Sequence, residues 1–252
     1  MKINNISEEE FMKDAREALV RRGVITKDDL FEVTITDEQF RQFEEEMEVT
    51  IPSEVRAYLR AGGHKFSMLK AAVPADDIYD KTPEVMRQIK EMSAEELSET
   101  DEELPYLEEI WSDILSAGED DPFSELRERM EELRLFATLV KNTEFNPDDA
   151  KRFIPIGGWM TAGALCIDTS KKKEDVDLDD PDTWQLRWFD HDEFDWGDIG
   201  YIGDNQELKG DILFPDFETF IKLYFYGIYD DVYKQQLEDE DEEMPDVSTW
   251  RQ

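Results

Sequence analysis

The spacing of apolar residues changes character near Phe153, and that change limits the fold more than any single motif does. Upstream, apolar side chains recur every three or four positions, as on a helix with one buried face. Downstream they fall in short runs broken by glycines and charged turns, as in strands. Ser7 and Glu10 spell a capping box ahead of Phe11, Ala15, Ala18 and Leu19, and Gly23 supplies a stop. Thr36 and Gln39 do the same ahead of Phe40, Phe43 and Met47. Pro52 predicts the first turn of a short helix carrying Val55, Tyr58 and Leu59, ended by Gly62-Gly63, and residues 66–73 read as a strand. Residues 79–149 read as a helical block. Thr82-Pro83 opens one helix; Pro105 opens a second with Leu107, Ile110, Trp111, Ile114 and Leu115. Asp121-Pro122 opens a third with Phe123, Leu126, Met130, Leu133, Phe136 and Val140, and the acidic stretch 95–103 reads as a mobile connection.

Beyond Phe153, residues 153–156 and 164–168 bracket a glycine-rich turn, Gly157-Gly158-Trp159-Met160-Thr161-Ala162-Gly163, which predicts a hairpin. Residues 171–182 read as a charged loop, 184–189 as a strand apolar on both faces, 199–202 as a short strand, and 214–229 as a closing helix. That helix turns Phe217, Phe220, Ile221, Tyr224, Phe225 and Ile228 inward. Helices first, strands second and a helix to close predict an α+β fold in a single domain over residues 1–236. Residues 237–252, with six consecutive acids from Glu238 to Glu243, read as a disordered tail.

Lys plus Arg number 28 against 65 Asp plus Glu in 252 residues, a net charge of −37. Such a surplus argues against direct binding to a nucleic-acid backbone and disfavours docking on an anionic leaflet, since both draw on Lys and Arg. It also leans toward disorder, but 15 Phe, 8 Tyr and 6 Trp are too many aromatics for a disordered acidic chain. The single cysteine, Cys166, excludes an internal disulfide and a cysteine-built zinc site. The N-terminal residues carry no apolar core of a signal peptide, so a cytoplasmic protein is expected.

Catalytic motifs are missing from the sequence. There is no Gly-x-Ser-x-Gly, Cys166 falls inside a predicted apolar strand, and no Lys-Ser/Thr follows the Gly157–Gly163 turn as a phosphate loop requires. His64 and His191 are the two histidines; His64 reads as a turn or strand-edge residue. The run Asp190-His191-Asp192-Glu193-Phe194-Asp195-Trp196-Gly197-Asp198 invites a calcium reading. An EF-hand register starting at Asp190 puts Phe194 and Asp195 where an oxygen donor and a glycine belong, so a solvated turn is expected there. No cofactor or metal is expected.

Several segments together resemble the SMI1/KNR4 (SUKH) superfamily. They are Ile51-Pro52-Ser53-Glu54-Val55-Arg56-Ala57-Tyr58-Leu59 with Gly62-Gly63, then Phe153-Ile154-Pro155-Ile156-Gly157-Gly158, Gly163-Ala164-Leu165-Cys166-Ile167-Asp168, Phe189-Asp190-His191, and the Phe217–Phe220 pair of the last helix. The resemblance covers residues 35–78 and 150–230, leaving 79–149 as a helical insertion; Ile51 stands where Leu is commoner. It implies a mostly antiparallel sheet flanked by helices and a non-enzymatic binding domain. Bacterial members act largely as immunity proteins that neutralise a cognate toxin, often a nuclease; fungal members regulate cell-wall synthesis through protein partners. On that footing the acidic surface would steer the chain to a basic toxin and occlude its cleft. The expected docking patch centres on Trp159 and Trp196, rimmed by Asp190, Asp192, Asp195 and Asp198; the competing reading tucks both tryptophans into the core. The alternatives are a regulatory interaction module of the same fold and, from another class, a calcium-dependent enzyme built on residues 190–198.

Overall fold

The capping boxes start the helices where the sequence places them. In the computed structural model, which describes residues 6–66, 68–74, 107–140, 145–159, 163–170, 186–192, 195–214 and 216–243, the Ser7 hydroxyl accepts from the Glu10 N–H, and the Glu10 carboxylate accepts back from Ser7 N–H at 3.0 Å. Helix α1 (Glu8–Arg21) follows and buries Phe11, Met12, Ala15 and Leu19. It stops at Gly23, whose φ of +73° lets the Val24 N–H reach back to the Leu19 carbonyl. A two-residue strand β1 (Leu30–Phe31) precedes α2 (Asp37–Met47), whose Thr36–Gln39 box is also present. Pro52 stands at the N-cap of α3 (Ser53–Arg60), one position outside the turn expected of it. Strand β2 (Gly63–His64) then pairs antiparallel with β1.

Six further strands form one antiparallel sheet in chain order: β3 (Met68–Pro74), β4 (Leu107–Ile114), β5 (Phe153–Trp159), β6 (Gly163–Asp168), β7 (Leu186–Asp190) and β8 (Asp211–Phe214). Helix α4 (Ser124–Leu139) lies between β4 and β5 in sequence. The molecule is therefore α+β with an antiparallel sheet, as expected, and β5 pairs with β6 as the expected hairpin requires, with Gly157, Gly158 and Trp159, expected in its turn, at the end of β5. Among the described residues no helix is long and apolar enough to cross a membrane.

The helix expected from Pro105 is wrong: residues 107–114 are strand β4, paired along its length with β3 and, at its end, with β5. A helix would turn Trp111 inward and Ser112 outward. Instead Ile110, Ser112 and Ile114 alternate into the interior, while Trp111 is 43% exposed beneath the Lys70 ammonium, 4.2 Å from the ring centre. Ser112 tolerates burial because its hydroxyl donates to the Gly158 carbonyl. The block 79–149 is thus not a purely helical insertion, since β4 is the link between β3 and the rest of the sheet. Its third helix stands as α4, with Leu126, Met130 and Leu133 buried. The expected helix at Thr82-Pro83, the connection 95–103, the loop 171–182 and Trp184 lie outside the described residues.

Strands β5 to β7 are covered on both faces. Ile154, Ile156, Leu165, Ile167, Leu186 and Trp188 face the main core with α1, α2 and α3. Phe153, Cys166 and Phe189 face a second core under α4. This double burial explains a strand that reads as apolar on both sides. Cys166 is buried as expected, and burial pushes its thiol pKa up. Residues 199–202 form a turn with a single bridge, Ile202 to Leu208, rather than a strand.

The expected closing helix 214–229 is three pieces. Phe214 ends β8, α5 (Phe217–Ile221) passes into a π turn (Lys222–Tyr226), and Gly227 breaks the chain before α6 (Asp230–Glu243). The wider π turn lets Leu223, Tyr224 and Phe225 all turn inward. Helix α6 carries residues 237–243 of the expected disordered tail; 244–252 lie outside the described residues. The Arg22 guanidinium donates to the carbonyls of Tyr224 (3.0 Å) and Phe225 (2.7 Å) and pairs with Asp230. Gly227 has φ +60°, and a Cβ there would lie 2.3 Å from the Arg22 guanidinium. Gly23, also at positive φ, has nothing within 4 Å. Gly227→Ala should therefore lower stability by roughly 2–4 kcal/mol, backbone strain plus a displaced arginine, against about 1 kcal/mol for Gly23→Ala. Urea midpoints of the two variants check the difference.

Candidate functional site

The end of β4, the β5–β6 hairpin and one flank of α4 enclose a groove of about 860 Å³. Along α4 the groove is walled by Glu125, Arg129, Glu132 and Phe136, spaced as one stripe of a helix. Its floor contains Gly157 and Gly158, which belong there for a steric reason. A Cβ on Gly157 would stand 2.2 Å from the Asp113 carbonyl oxygen, so any side chain would part β5 from β4 at the bulge between Pro155 and Gly157.

Charge in the groove is organised by Arg129. Its two terminal nitrogens lie 3.2 Å from the two Asp113 oxygens, and Nε donates to Glu125 at 2.9 Å. Burial opposes the charge on Arg129, but Asp113 and Glu125 outweigh it and hold the guanidinium more firmly protonated. Glu125 also accepts from the Ser116 N–H, and the Ser116 hydroxyl bridges to the backbone of His64. The His64 ring stacks on Phe66, with Nδ1 2.8 Å from the Phe66 carbonyl oxygen and Nε2 3.1 Å from that of Leu115. Two carbonyls favour a doubly protonated ring. Burial, with the positive charges of Arg16 and Arg129, wins and lowers the pKa to about 4. His64 is thus a neutral structural group at pH 7, on a buried strand edge as the sequence suggested.

The structure places one of the two tryptophans expected at the docking patch in the interior. Trp196 is wholly buried, packed among Phe136, Phe145, Phe189 and Tyr201, with Nε1 3.4 Å from the Asp190 carbonyl. It is the centre of the second core, not a partner-facing aromatic. The acids around it form the turn that wraps this ring. The Asp190 carboxylate accepts from the Asp192 N–H, and the Asp195 carbonyl accepts from the N–H of Asp198 and of Ile199. Asp192 and Asp198 face solvent, while Asp190 and Asp195 are half-buried. Among the described residues no three His, Cys, Asp or Glu side chains converge to hold a metal ion. Trp159 ends β5 opposite Ser112, and its side chain lies outside the described residues.

A different surface combines apolar and acidic groups. On the outer face of α4, Glu128, Glu131, Glu132, Leu135, Thr138 and Leu139 are exposed, with Leu135 at 62% and Leu139 at 53%. The clue was present in the sequence: both leucines fall off the stripe of Leu126, Met130, Leu133 and Ala137 that α4 buries. Asp113 went unrecognised because its strand reads as a helix. Comparisons with protein families, with curated proteins and with solved structures find no match to this chain.

Trp196→Ala should cost about 3–5 kcal/mol by emptying a core position, seen as a lowered urea midpoint. His64 has a folded pKa below its unfolded value, so the stability it contributes is present above pH 6.5 and is lost as pH falls toward 4. The His64 ring protons should titrate near pH 4 by NMR, and His64→Gln should flatten the stability profile between pH 6.5 and 4.

Proposed function

We propose that this protein is a non-enzymatic binding protein of the SMI1/KNR4 type, acting as an immunity protein that neutralises a basic toxin by covering its substrate cleft. The observation that carries the reading is the outer face of α4, where exposed Leu135 and Leu139 adjoin Glu128, Glu131 and Glu132. Surface acids alone give loose, salt-sensitive association; exposed apolar side chains beside them give a complex an anchor. A nuclease-like toxin presents Lys and Arg around its cleft, the complement of such a face. The rest of the surface supports the reading. Described arginines pair within the chain, Arg56 with Glu44, Arg60 with Asp37 and Arg127 with Glu46 and Asp121, each cancelling acid charge. The surplus of 65 acids over 28 Lys and Arg remains uncompensated. Steering by that surplus raises encounter rates by about 10- to 10³-fold at low salt.

The test is capture with the tagged chain from its native lysate, eluted by a salt gradient and followed by mass spectrometry and a toxicity assay. One basic partner, held in equal amount and detoxified, is expected. The double variant Leu135→Ser/Leu139→Ser should bind that partner at least about tenfold more weakly while melting as the parent does, since exposed substitutions change stability little. A mixture of unrelated basic proteins leaving at low salt would leave the proposal without its physical basis.

A further inference from the structure

We infer that the cleft between α1 and the segment joining β1 to α2 binds a small carboxylate, with Arg16 in its floor as the anchor. The cleft has a volume of about 1120 Å³. Five cations line it, Lys13, Arg16, Arg21, Lys27 and Arg60, against four acids, Glu9, Glu17, Glu32 and Asp37. Its local balance is 5 − 4 = +1, in a chain whose 65 acids exceed its bases more than twofold. Lys13, Arg21 and Arg60 are committed to carboxylates, and Lys27 makes no ion pair among the described residues.

Arg16 is the unusual member. It is 3% exposed. Nη2 donates to the Tyr58 carbonyl at 3.2 Å, and the guanidinium carbon sits 4.4 Å above the Tyr58 ring. Nε and Nη1 are buried with no acceptor, and no carboxylate pairs with Arg16 among the described residues. The other arginine buried this deeply, Arg187, has Asp168 beside it. A buried cation is ordinarily paired, and what Tyr58 offers through its carbonyl, ring and side chain meets only part of what a guanidinium gives up on leaving water. A carboxylate is the group whose planar oxygens match those unmet donors. Phe31, Val33 and Ile35 supply apolar wall for a short hydrocarbon body next to it. The site stands apart from the α4 face and does not depend on the reading given to that face.

The parent protein should show a saturable rise in melting temperature with sodium butyrate, and none with butyramide or with sodium chloride at equal ionic strength. Arg16→Met, which exchanges a buried charge for an apolar side chain of similar length, should fold and lose the response. The inference is overturned if butyrate acts no differently from chloride, if Arg16→Met keeps the response, or if phosphate stabilises and butyrate does not. Should Arg16→Met fail to fold, a parent melting curve that butyrate moves no further than butyramide or sodium chloride overturns it alone.

Discussion

Arginine joins this molecule together. Arg22 fastens the end of α1 to the π turn and to Asp230, Arg60 ties α3 to the carbonyl of Ile35 and to Asp37, and Arg134 on α4 donates to the last carbonyl of α2. Arg127 links α4 to Glu46 of α2, and Arg129 links it to Asp113 of β4. Each bond joins two separate parts of the chain, and each is accepted by a carboxylate or a backbone carbonyl. A guanidinium can serve several acceptors at once, which suits a chain with few cations to spare. The same scarcity leaves the outside acidic: 28 Lys and Arg cannot offset 65 acids however they are paired.

Elements governed by local rules were legible in the sequence. Capping boxes at Ser7 and Thr36 and apolar stripes on α1, α2 and α4 stand where spacing puts them, because caps and stripes are decided within a few residues. The hairpin around Gly157 to Gly163 was legible for the same reason. Strand β4 was not. Leu107, Ile110, Trp111 and Ile114 fit a helical period, and what reverses the reading is non-local: β3 and β5 on either side, and the Gly158 carbonyl that lets Ser112 be buried. The π turn was equally hidden, because its demand for inward Leu223, Tyr224 and Phe225 comes from the core it meets.

The candidate site follows the same division. Trp196 sits in an acidic run, which suggests solvent, yet Phe136 of α4, Phe145, Phe189 of the sheet and Tyr201 of its own loop pack around it. Composition of a segment says where its charges go and little about a single ring within it. The leucines on the outside of α4 are the converse: ordinary in sequence, conspicuous once the helix is docked and its buried stripe is known. Neither inversion is visible before the elements have been assembled.

The tie between Arg22 and the closing segment also has a consequence in time. Its acceptors at Tyr224 and Phe225 lie 202 and 203 residues further along the chain. At ribosomal rates that stretch takes about 10–40 s to synthesise. Through that interval Phe11, Met12, Ala15 and Leu19 await part of their cover, while the strands of the meander emerge in the order in which they pair. Helix α1 can thus be locked to the closing segment only once Tyr224 and Phe225 have been made.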